Sequence, residues 1–424
     1  MVQHRSSGRT GRGPRTGAAA QGAFVAKTRS LSNGNNNTAD EDLPTRRPIK
    51  IPHEHIALVL QGGGALGAYQ AGVFEVMAAN LPREPHWVAG ISIGAINAAL
   101  IAGNPPERRV ARLREFWQRV SSGVVGISPL IDEQRSAFHQ FSSAFTAAFG
   151  VQGFFRPRLI PPLMQPDGTL EAISVYDTTP LRHTLESLID FDLINERHIR
   201  LSLGAVNIRT GNSTYFDNTR QLIGPEHVMA SGALPPAFPP VEVDGELYWD
   251  GGIVSNTPLQ YVLDNHKAGR LLVAQVDLFS ARGDVPTTLG AAMARQKEII
   301  YSSRTRFNTD QAAEHQRDRM ALRKLIDRLP AEFREDPLLQ RLTGRGCEDH
   351  IDIVHLIYRH SRFELESSDY EFSRATVEQH WQAGQQDMQT TLDHPEWLAR
   401  SDHGDGVTVY DLTHDHRALV ANHP

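Results

Sequence analysis

The chain carries one cysteine, Cys347, among its 424 residues. A lone thiol excludes an intrachain disulfide and suits a reducing compartment without demanding one. No His, Cys or carboxylate grouping has metal-ligand spacing, so no metal and no cofactor are expected. No apolar run reaches the roughly 18 residues that a spanning helix needs. The N-terminus also lacks the apolar stretch of a secretory signal. Positive charge is not in excess: the net charge is −6, which argues against a nucleic-acid partner. These absences point to a cytoplasmic protein that could touch a membrane from its surface but not cross it.

At 40% hydrophobic residues, the chain can bury a substantial core. Its most informative stretch is Gly90-Ile91-Ser92-Ile93-Gly94, a G-x-S-x-G. A nucleophilic serine needs an exposed Oγ on a sharp strand-to-helix turn, and small residues at −2 and +2 permit that bend. Trp87-Val88-Ala89 reads as a buried strand before it, and Ala95–Ala102 as a small-residue helix after it. Alone, the motif also occurs in ordinary Gly/Ser-rich loops.

Upstream, the apolar strand His55–Leu60 leads into Gln61-Gly62-Gly63-Gly64-Ala65-Leu66-Gly67 and then a helical stretch, Ala68–Phe74. Glycines between strand and helix expose backbone N–H groups at a helix N-terminus, which suits a phosphate or an oxyanion. Gly62, Gly64 and Gly67 also satisfy the dinucleotide fingerprint. That reading needs an acid ending the second strand. Here Glu84 precedes the strand, and Ser92 stands where the acid belongs. No P-loop lysine follows the glycines.

Downstream, Asp250 sits between a strand (Glu246–Trp249) and Gly251-Gly252. By itself Asp-Gly-Gly is an ordinary turn. After a glycine loop and a serine elbow, it becomes a candidate base for Ser92. Histidine is the rival, since 11 of the 19 histidines follow Asp250. None sits in an evident catalytic loop, and His414-Asp415-His416 reads as a polar tail.

The three motifs, in this order, resemble those of the patatin-like phospholipases, lipid acyl hydrolases with a Ser–Asp dyad. Ala230–Pro240 resembles the segment before the aspartate in bacterial members. The resemblance covers about residues 55–280. It implies Ser92 as nucleophile, Asp250 as base and the Gly62, Gly63 and Gly64 amides as oxyanion hole, with Gly67, Gly90, Gly94, Gly251 and Gly252 as motif glycines. It implies a lipid or other acyl ester as substrate. Leu66 stands where many members carry Arg or Lys, so the oxyanion would rest on backbone donors. A non-catalytic lipid-binding or scaffold protein of the same fold is the alternative.

The expected fold is α/β, a mainly parallel central sheet flanked by helices and related to the α/β-hydrolases. Further strands are read at Arg200–Val206, Ser213–Asp217 and Arg270–Val276. Residues 1–50 are basic and polar, a disordered leader by composition; the catalytic domain spans 51–287. Residues 288–424 form a mostly helical accessory region packed on the core. In it, Ile351–Tyr358 is expected as an edge strand, Ser373–Leu392 as a helix with Trp381 on its apolar side, and Arg295, Arg304 and Arg306 as a charged face. Phe138, Phe141, Phe145 and Phe149 are spaced for one helical face, followed by Phe154-Phe155 and Leu159–Met164. These could wall an acyl chain, touch lipid, or pack on the core.

Overall fold

The computed structural model describes residues 51–121, 146–266, 269–330, 350–359, 370–394 and 407–412, with Phe333, Asp336, Pro337 and Leu339 besides. The basic leader, Phe138, Phe141 and Phe145 lie outside the described residues, as do the side chains of Arg304 and Arg306.

β1 (His55–Leu60) leads through a 3-10 turn, Gly64–Gly67, into α1 (Ala68–Asn80). β2 (Trp87–Ile91), α2 (Ile93–Ala102) and α3 (Pro106–Val120) follow. A short antiparallel ribbon pairs β3 (Arg156–Pro157) with β4 (Tyr176–Asp177). Then come α4 (Thr179–Leu188), α5 (Phe191–Asn195), β5 (Arg200–Asn207), β6 (Ser213–Asp217), α6 (Pro225–Ser231), β7 (Val241–Val243) and β8 (Glu246–Asp250). The remainder is α7 (Leu259–Asn265), β9 (Leu271–Asp277), α8 (Leu289–Asp327), β10 (Ile351–Ile357), α9 (Arg374–Asp393) and β11 (Val407–Tyr410).

Nine strands form one sheet in the order β11-β10-β9-β1-β2-β5-β8-β7, with β6 also on β5. The run from β11 to β5 is parallel. Parallel strands are covered on both faces, so they read as continuous apolar runs. In β1 the alternation still sorts the two sides. Ile56, Leu58 and Leu60 join the large core beneath α1 and α2. Ala57 and Val59 face a smaller core with Leu259 and Val262 of α7.

β10 was expected at the edge of the sheet. It pairs with β9 along its whole length, and β11 pairs with its other side, so β10 is internal. Four residues, Val407–Tyr410, were too short a run to read as the true edge. α9 lies across α1. A Cβ on Gly72 would fall 1.9 Å from the Trp381 carbonyl oxygen, and one on Gly384 2.0 Å from that of Tyr69. This crossing therefore depends on two glycines meeting backbone to backbone.

One feature of the sheet sets the site. β2 pairs with one edge of β5, reaching Gly204 at Ile91. β8 arrives from the opposite direction and meets Ala205 at Asp250. β6 pairs with Ser202 to Val206 and thus fills the other edge. The C-terminal ends of β2 and β8 consequently converge head to head on adjacent residues of β5.

Candidate active site

Ser92 stands where β2 ends and α2 begins, with φ 58° and ψ −124°. A non-glycine residue in that region is strained, and strain of this kind concentrates where a turn must present a side chain. The surroundings hold it there. The Ser92 N–H donates to Ser231 Oγ at 3.1 Å, and Ser231 Oγ donates to the Gly204 carbonyl at 2.6 Å. Ala95 N–H donates to the Ser92 carbonyl, starting the helix. The flanking glycines are forced by contact. A Cβ on Gly90 would lie 2.2 Å from the Gly94 carbonyl oxygen, and one on Gly94 2.4 Å from that of Leu60.

Asp250 is buried at the end of β8. Its carboxylate accepts from Gly252 N–H at 2.7 Å, and the Ser92 side chain lies close enough to act on it. Burial pushes its pKa up to about 6, and Ser92 and the Gly252 amide offset only part of the effect. Gly251 lies against the Gly204 carbonyl, which keeps the turn tight on β5.

The glycine loop closes the third side. Gly62 N–H donates to the Asn256 carbonyl at 3.2 Å, and Asn256 Nδ2 donates back to the Gly62 carbonyl at 2.9 Å. The Gly62 amide is therefore already engaged, which removes it from the donors expected for an oxyanion. Gly63 and Gly64 donate to no acceptor among the described residues. Gly64 takes φ 56°, a left-handed conformation that suits glycine. Gly67 packs on Ile93, and its carbonyl accepts from Asn97. Leu66 is fully buried and sends no charge toward the loop.

Ser92, Asp250, Gly62, Gly63, Gly64 and Asn256 line one cavity, which opens to solvent. Its upper wall is aromatic. Phe154, Phe155, Phe238 and Phe372 line it and touch one another, with ring centroids 5.2 to 6.0 Å apart. Lys297, Tyr301, Tyr370 and Phe372 come from beyond residue 287, so the C-terminal region supplies part of the wall. No histidine lines the cavity among the described residues. Among the described residues, no group of His, Cys, Asp and Glu could hold a metal ion.

A buried amide network that sequence reading overlooked braces this site. Gln61 Oε1 accepts from the Leu278 and Phe279 amides, and its Nε2 donates to Thr257. Gln70 donates to the Gln61 carbonyl, Asn97 to Gln70, and Trp117 to Asn97. Glutamine and asparagine inside apolar runs were the available signal, because burying them unpaired is costly.

The patatin-like phospholipase family model matches residues 58–263, the stretch that holds all three motifs. A second model, described as patatin phospholipase, matches residues 299–404. The chain belongs to the patatin-like phospholipases.

Solved structures give distant likenesses to this patatin-like phospholipase. VipD from Legionella pneumophila is 16% identical over 87% of this chain and 75% of its own, with a TM-score of 0.36. Human GIVD cytosolic phospholipase A2 is 10% identical over 81% of this chain, with a TM-score of 0.38. The chain spans 60% of that human protein's length. No curated protein sequence matches significantly.

Proposed function

We propose that this patatin-like phospholipase hydrolyses carboxylic esters of acyl lipids through Ser92 and Asp250. The observation that carries the reading is that Ser92, on its strained turn, and the buried Asp250 carboxylate line the same aromatic-walled cavity, with Ser92 close enough to lower the Asp250 pKa. A carboxylate with an ordinary pKa is a weak base toward serine. One raised to about 6 matches the task better.

Asp250 takes the Ser92 proton as Oγ attacks the ester carbonyl. The tetrahedral oxyanion rests on the Gly63 and Gly64 N–H groups, each such donor being worth roughly 3 kcal/mol in other enzymes. As the intermediate collapses, the proton passes to the departing alcohol and an acyl-serine remains. Asp250 then deprotonates a water that attacks the acyl-serine, and Ser92 recovers its proton. The phenylalanine wall holds the acyl chain by apolar contact and keeps the carboxylate dry.

A fluorophosphonate should label Ser92 covalently. Asp250→Asn should lower kcat/KM on an acyl ester by about 10²–10⁴-fold. Full activity in Asp250→Asn, together with its loss on replacing a histidine, would reject the dyad. Absence of any labelling would leave a lipid-binding protein.

A further inference from the structure

We infer that the loop Leu159–Met164, together with the first turns of α8, inserts into the surface of a phospholipid bilayer and seats the cavity mouth on it. The choice of a lipid partner rests on the proposed activity.

The loop reads Leu-Ile-Pro-Pro-Leu-Met. Leu159 and Leu163 are fully exposed, and Met164 is 76% exposed. A chain that could fold these side chains inward would ordinarily do so, and contiguous exposed apolar residues mark an interaction site. The loop is also well held. Pro162–Met164 forms a 3-10 turn, with Met164 N–H donating to Pro161 and Gln165 N–H to Pro162. Arg158 donates to the carbonyl and hydroxyl oxygens of Ser174 across the loop's neck. Its tip is thus presented by a braced structure.

The loop's base is hydrogen-bonded to a segment of the cavity wall. Val175 N–H donates to the Pro236 carbonyl and Tyr176 N–H to that of Ala237. Ala237 and Phe238 line the cavity. A second exposed apolar pair lies on α8, which also reaches the cavity. Leu289 and Met293 are exposed at 80% and 65%, one turn apart on α8. Lys297 and Tyr301 continue that face and line the cavity themselves. Two separate elements, each linked to the cavity wall, therefore carry exposed aliphatic side chains.

The chemistry of these side chains selects hydrocarbon. The tip is leucine, isoleucine, proline and methionine, without the aromatic and arginine anchors that protein interfaces concentrate. Such a tip suits the headgroup–acyl boundary of a bilayer. No helix among the described residues is long and apolar enough to cross a membrane, so contact from the surface is a route this chain has to lipid.

The test uses the full chain carrying Ser92→Ala, so that no lipid is consumed, and vesicles of phosphatidylcholine with a minor share of phosphatidylglycerol. Leu159→Ser with Leu163→Ser, or Leu289→Ser with Met293→Ser, should weaken vesicle partition at least about tenfold. With Ser92 intact, the same variants should hydrolyse a soluble short-chain ester within about twofold of the parent and melt at the same temperature, since the changed side chains touch little else. Unchanged partition would overturn the inference. So would equal loss on vesicles and soluble ester, which indicates a lid or a packing role, or a dimer that dissociates in the variants while partition is unchanged. Partition that depends on the leucines in a protein inert toward every ester would support the docking surface and sink the proposed hydrolysis instead.

Discussion

The role proposed for Asp250 comes at the expense of stability. Its carboxyl titrates at about 6 in the folded protein, against a reference value of 3.8, because it is buried. The folded state thus holds the proton more tightly than the unfolded one. The ionised form costs stability fully above about pH 6, and the cost vanishes below about pH 4, where both states are protonated. Asp250→Asn should therefore raise the unfolding free energy by about 2–3 kcal/mol at pH 8 and by much less at pH 4, as urea titrations at the two pH values would show. Under the proposed mechanism only the ionised base is competent. In the parent protein kcat/KM should rise through about pH 6 and level off above it, a profile that steady-state assays on a soluble ester would check. Ser92 and Asp250 could be singled out in the sequence because each sits among small residues. Asn256, which clamps Gly62 from both its side chain and its backbone, carried no such mark.

Pairs of elements meet through devices with no periodicity to reveal them. α1 and α9 cross where Gly72 and Gly384 bring backbones together. Tyr69 donates to Asp387 and Trp381 to Glu75 across the same contact. Gly384→Ala would drive a methyl into the Tyr69 carbonyl and should cost about 1–3 kcal/mol or more, measurable by thermal unfolding. Beneath the sheet, Arg200, Ser202 and Tyr261 all donate to Asp217, and Arg200 stacks on Trp87 at 3.7 Å. Burial alone would raise the Asp217 pKa; the Arg200 and Thr219 hydrogen bonds overcome it and bring the pKa to about 2. The stability this confers is present above about pH 4 and lost as pH falls toward 2. Asp217→Asn should accordingly cost about 2–4 kcal/mol at neutral pH and little at pH 2, by denaturant titration at each pH.

Across the whole molecule, the sheet does not stop where the expected catalytic domain does. β10 lies beside β9 through seven registered residues, and α9 covers α1. The C-terminal region also lends Tyr301, Tyr370 and Phe372 to the cavity. A chain ending at residue 287 would bare the edge of β9 and the apolar face of α1, both aggregation hazards. Such a chain should be insoluble or lack cooperative unfolding, as expression and near-ultraviolet circular dichroism would report. The motifs behind the proposed chemistry are local, whereas this dependence arises from pairings between residues some 80 positions apart in sequence, such as Val273 with Ile353.

Local covalent and steric requirements are written residue by residue. The sequence by itself therefore determined the serine turn, the glycine loop, the aspartate, the apolar strands and the α/β class. It had no means of setting distances between them. Only the tertiary structure decided that β2 and β8 end on neighbouring residues of β5, bringing Ser92 to Asp250. Likewise only folding engaged the Gly62 amide, raised the buried carboxyl and left Leu159 and Leu163 in water. Pairing register, burial and exposure belong to the packed chain, because each depends on what distant segments bring to the same place.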